Sequence, residues 1–191
     1  MTKGRLEAFS DGVIAILITI MVLELRAPQG ATWSALRDIV PYLLAYVLSF
    51  VYLGIYWTNH HHLFQLTNRV TGGVLWANLH LLFWLSLVPF VTLWLGSNHS
   101  AAAPTALYGI LMVLAAMAYQ ILQYIIIGAQ GAGSPLARAI GSDRKGKISL
   151  FLYLTAIPAA FVQPLISDAL YITVALVWLV PDRRIERVAS Q

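Results

Sequence analysis

Four residues near the start of the chain have the types and spacing for polar chemistry inside an apolar setting. Arg5, Glu7, Ser10 and Asp11 open the run RLEAFSDGVIAILITIMVLEL, residues 5–25, and beyond Asp11 no charge interrupts it until Glu24. A carboxylate at the edge of an apolar phase costs about 3 kcal/mol unless it is paired or hydrated, so Asp11 needs donors. Ser10 and Arg5 are its neighbours, and the polar side chains Trp57, Asn59, His60, His61, His62, Asn78 and His80 supply further candidates. Two uses of the group are open: a hydrogen-bonded staple that fixes the first helix, which is the favoured reading, or a direct part in moving ions.

Helical periodicity divides the same segment into two faces. At about 100° per residue, Gly12, Ile16, Thr19, Ile20 and Leu23 fall on one narrow face, and Ser10 and Asp11 point well away from it. One helix is therefore expected to do two jobs.

The element that carries these residues belongs to a membrane protein. Hydrophobic residues make up 59% of the 191 positions and charged residues 10%, against about 25% charged in an ordinary soluble domain. A helical span needs roughly 20 mostly apolar residues, so the chain has room for about six and for no soluble enzyme domain. The absence of cysteine excludes disulfides, thiolate metal sites and cysteine nucleophiles. The first segment resembles a secretory signal only superficially, because Glu7 and Asp11 open it and LRAPQGA offers a poor cleavage site; it is expected to be retained.

Six helices are predicted, at approximately 7–25, 38–58, 70–95, 105–129, 148–165 and 167–180, giving an all-α polytopic fold in one domain over 1–191. Pro28 and Gly30 stop the first, and Pro41 sits near the start of the second, where proline is tolerated. The run NHHHLFQLTNR is expected to be a water-facing connection. GSNHSAAAP breaks the long uncharged stretch that follows, GAGSPLARAIGSDRKGK forms a second polar loop, and QPLISD turns the last pair. Trp33, Trp57, Trp76 and Trp94 fall near predicted span ends, whereas Trp84 and Trp178 read as packing residues.

Basic residues orient the bundle. Lys3, Arg5, Arg69, Arg138, Arg144, Lys145, Lys147, Arg183, Arg184 and Arg187 lie on the side of the termini, and Arg26 and Arg37 on the other. That asymmetry predicts cytoplasmic termini in the cell (plasma) membrane. The net charge of +4 is explained by these segment ends, and no basic, aromatic-interleaved surface suggests nucleic acid as a partner.

The pattern R-x-x-x-F-S-D, standing as Arg5, Phe9, Ser10 and Asp11 on the first helix and followed at once by GVIAI, resembles the bacterial members of the transmembrane protein 175 potassium-channel family. The resemblance covers essentially the whole chain. It implies a homotetramer of six-helix subunits in the bilayer, with potassium ions passing a central pore lined by the first helix. It also implies a pore without the TVGYG carbonyl filter, which this sequence lacks, narrowed instead by rings of aliphatic side chains. By offset from FSD those are Ile16, Ile20 and Leu23, with Thr19 as a hydroxyl layer that selects potassium weakly over sodium. Trp57, Asn78 and His80 are the possible partners of the motif. Aliphatic residues at such spacing occur on most membrane helices, so the pore role rests on the motif rather than on the pattern.

Three function classes follow. A passive potassium channel is favoured. A secondary transporter would show corresponding broken helices in two halves, and Pro89, Pro158 and Pro164 do not correspond; a proton-permeable cation channel is the related alternative. A membrane enzyme or haem protein would need a convergent ligand set. His60, His61 and His62 do not supply one, because adjacent residues on a helix diverge by about 100°; interfacial hydrogen bonding is their expected use, and no metal or cofactor is expected beyond the permeant ion. Glu24 either rings the outer mouth and concentrates cations or is simply solvated.

Overall fold

The computed structural model describes residues 2–131, 133–141 and 143–179, and over these residues it is all-α. The run from Lys3 has no proline and only one glycine after Gly4, and it forms α1, Lys3–Leu23. The chain then crosses the stop signals and enters a 3-10 helix, Trp33–Ile39. Pro41 takes the first turn of α2, Val40–Gln65, where its missing N–H costs no intrahelical bond.

α2 is longer than the sequence suggests. The expected end at residue 58 is wrong, and so is the water-facing connection, because the NHHH run continues the helix to Gln65. Its polarity suggests a break, yet it holds neither glycine nor proline, and a hydrogen-bonded helix propagates until something stops it.

The third predicted helix is two. α3, Gly72–Ser86, and α4, Val88–Ser97, meet at Leu87, just ahead of Pro89, which has no N–H to offer the Leu85 carbonyl. The Leu87 N–H instead bonds to Trp84 O at 3.2 Å, a tighter i→i−3 turn. α5, Ala102–Gln130, follows and ends on Gly131 at φ +93°, a conformation glycine adopts without strain. The second polar loop contains the short α6, Pro135–Ile140, capped by the Ser134 hydroxyl and anchored through buried Leu136 and Ala139.

The last two helices start earlier than expected, as α7, Arg144–Val162, and α8, Pro164–Leu179. The joint is Gln163, extended at φ −156°, a conformation that Pro164 enforces on the residue before it. Val180 and the basic residues Arg183, Arg184 and Arg187 lie outside the described residues.

α1, the 3-10 helix with α2, α3 with α4, α5 and α7 are long and apolar enough to cross a bilayer, and α8 is a shorter apolar helix. α5 is the hub, packed against α3, α4, α7 and α8. The largest core side chains include Tyr52, Tyr108 and Tyr171, and their hydroxyls are all partnered. Tyr52 donates to Tyr171 O at 2.7 Å and Tyr171 to Thr105 O at 2.9 Å, and Tyr108 pairs with Ser49 at 3.1 Å. Where no water reaches, an unpaired hydroxyl costs several kcal/mol, so such bonds are what admits tyrosine to this core. The outer surface is rich in exposed Leu, Ile, Phe and Trp, including Trp33 and Trp76, as lipid contact requires.

Candidate functional site

α1 presents its two faces as periodicity predicts. Leu6, Ser10, Ile14, Leu17 and Met21 are buried in the bundle. The other face carries Phe9, Ile16, Ile20 and Leu23 at 50%, 57%, 40% and 81% exposure, with Gly12 and Thr19 exposed beside them. A continuous apolar stripe thus stands uncovered along the first helix. Glu24 is exposed as its C-cap.

The polar residues at the start of α1 lock it to α2 and α3. Trp57 on α2 donates its indole N–H to Asp11 Oδ1 at 2.9 Å. Asn78 on α3 donates its amide N–H to Ser10 Oγ at 2.9 Å, and Ser10 passes its own proton to Leu6 O at 2.9 Å. His60 on α2 lies 2.7 Å from Asn78 Oδ1. An amide oxygen only accepts, so His60 Nε2 carries the proton and donates it. Ser10, Asn78 and His60 are almost wholly buried, and the His60 ring packs on Phe64 at 4.5 Å. The chain of donors from His60 through Asn78 and Ser10 to the α1 backbone is complete.

Of the possible partners read from the sequence, Trp57 and Asn78 take part and His80 does not. His80 is exposed on α3 and accepts from Trp84 at 2.9 Å. Two residues along a helix is about 200°, so Asn78 and His80 cannot both face α1. Arg5 also stands apart: it is exposed, and among the described residues it joins no hydrogen bond or ion pair of this lock. The three histidines diverge as well. His61 stacks on Trp57 and bonds to Gln65 at 2.8 Å while His60 turns inward, and among the described residues no three His, Asp or Glu side chains gather as metal ligands.

Thr19 has one feature that sequence reasoning did not reach. Its hydroxyl donates to Ile16 O at 2.8 Å. With the proton committed to the backbone, the oxygen presents lone pairs outward on the exposed face. That arrangement suits a cation.

Comparison with known proteins adds the following. The sequence model of the family described as "Endosomal/lysosomal potassium channel TMEM175" matches residues 5–89. A potassium channel from Chryseobacterium sp. is 56% identical over 187 residues, 98% of this chain and 97% of that one. The crystal structure of a lysosomal potassium-selective channel TMEM175 homolog from Chamaesiphon minutus superposes with a TM-score of 0.82 at 28% identity, covering 94% of this chain and 97% of that chain. The endosomal/lysosomal proton channel TMEM175 of Bos taurus is 39% identical over 83 residues, 37% of this chain and 17% of that protein.

Proposed function

Because this chain belongs to the TMEM175 family of ion channels, and is no enzyme, we propose that it is a passive potassium channel of the plasma membrane, assembled as a homotetramer with α1 around the pore. The single observation that carries this reading is the uncovered stripe Phe9, Ile16, Ile20 and Leu23 on α1, on a helix whose opposite face is locked into the bundle through Ser10 and Asp11. Four such stripes closing on an axis form rings of large aliphatic side chains. Rings of this kind exclude water and gate by dewetting. Thr19 lies one turn from Ile16 and offers four oxygens to a partly dehydrated potassium ion, giving a weak preference over sodium. Both termini face the cytoplasm, as the basic residues of the N-terminus and of the loops after α2 and α5 favour.

A second permeant ion is supported by the vertebrate relatives, which are named proton channels; protons and potassium then share this path. Coupled transport finds no such support.

Ile16→Asn tests the gate. An amide in a dry ring admits water and lowers the barrier to the ion, whereas an amide in a mere packing site only destabilises the protein. Planar-bilayer recording of correctly assembled protein is expected to show a larger potassium current, tenfold if the barrier falls by about 1.4 kcal/mol. Equal or smaller current from folded protein removes Ile16 from the gate.

A further inference from the structure

A groove of about 550 Å³ runs between α2 and α8, and no residue of α1 lines it. Its trough is aliphatic, with Leu44, Leu48 and Leu176 among its walls, and Pro41, His99 and Asp168 lie toward the end opposite the N-terminus. Leu44 and Leu176 are 64% and 59% exposed, so the trough opens sideways, where acyl chains are. Asp168 and Leu179 both line it, and the roughly eleven helical steps from one to the other span about 16 Å. That is close to one leaflet, half of a hydrocarbon core about 30 Å thick.

The groove holds one carboxylate and no lysine or arginine. Asp168 is partly buried, and among the described residues no hydrogen bond or ion pair is formed with it. A partly buried carboxylate at the end of an apolar trough favours a cation. An anionic headgroup would meet repulsion there.

We infer that the α2/α8 groove binds one phospholipid with an amine headgroup, its acyl chain along Leu44, Leu48 and Leu176 and its ammonium against Asp168. The inference rests on the chain spanning a bilayer and not on its conducting ions, so the two readings fail separately.

The test uses the full chain in nanodiscs of equimolar phosphatidylethanolamine and phosphatidylglycerol with matched acyl chains. After mild extraction, native mass spectrometry counts the lipid that stays bound. Wild type is expected to keep the ethanolamine lipid about fivefold over the glycerol lipid, the scale of one partly exposed ion pair. Asp168→Asn brings the ratio to parity, and Leu44→Trp fills the trough and lowers total retained lipid at unchanged elution volume. Parity in wild type, or a preference that survives Asp168→Asn, overturns the assignment. So do covalent dimers formed between Leu44→Cys and Leu176→Cys in this otherwise cysteine-free chain, because a second copy then occupies the groove.

Discussion

The hydrogen bonds from His60 to Asn78, from Asn78 to Ser10 and from Ser10 to the Leu6 carbonyl run in one direction, and this makes the lock on α1 specific. If Asn78 is replaced by Leu, the His60 N–H loses its acceptor and Ser10 Oγ loses its donor, both in the dry core. The expected cost is about 1–3 kcal/mol for the orphaned groups. Because Ser10 and Asn78 touch, Asn78→Leu and Ser10→Ala are expected to cost less together than the sum of their separate effects. Thermal loss of the folded species, followed by size-exclusion chromatography on both single variants and the double, measures that coupling; strict additivity would show that the two residues act independently. Much of this lock was legible in the sequence. A carboxylate and a hydroxyl at the mouth of an apolar run demanded donors, and Trp57 and Asn78 were among the few at the right height. His60 stood among the candidate donors, but its place on the buried face of α2 was hidden by the expectation that the helix ended before it. The exclusion of His80 needed only the helical angle relative to Asn78, and that of Arg5 the six residues that separate it from Asp11.

At the scale of elements, close approach between helices depends on single glycines. A Cβ built on Gly96 of α4 would lie 2.9 Å from the Cα of Tyr42 on α2 and 3.0 Å from its ring. Backbone cannot swing aside as a side-chain tip can, so Gly96→Ala forces α2 and α4 apart. Overpacking of this kind typically costs about 1–3 kcal/mol. Gly128→Ala on α5 is the control, since nothing lies within 4 Å of that position, and an alanine there is neutral or gains up to about 1 kcal/mol of helix stability. A lower melting temperature for the first variant and an unchanged or higher one for the second is the expected pair of results. Spacing of the apolar blocks made the order of helices readable, together with most of their lengths. What escaped was local. The break at Leu87 follows from Pro89, whose missing N–H interrupts the helix inside an unbroken apolar block, and the short α6 hides in a loop whose glycines and lysines mask Leu136 and Ala139.

At the scale of the whole molecule, the proposed function requires more than one chain. A single subunit leaves Ile16, Thr19, Ile20 and Leu23 bare, and on the proposed assembly the ion path forms where copies bring those faces to a common axis. On the proposed assembly, each Thr19 spends its proton on the Ile16 carbonyl, and four hydroxyl oxygens turn lone pairs to the axis. Thr19→Val keeps the shape and the aliphatic rings but removes the oxygens, whereas Thr19→Ser keeps the oxygens and loses only a methyl group. Only the difference between the potassium and the sodium contacts enters the permeability ratio; taken as about 1 kcal/mol over the four hydroxyls, it lowers the ratio about fivefold in Thr19→Val and leaves it near wild type in Thr19→Ser. Total conductance should change less than selectivity, because the proposed aliphatic rings are untouched. Reversal potentials under bi-ionic potassium and sodium read the ratio directly. A value in Thr19→Val equal to wild type would place selectivity at the aliphatic rings themselves, with the four hydroxyls serving only the helix backbone.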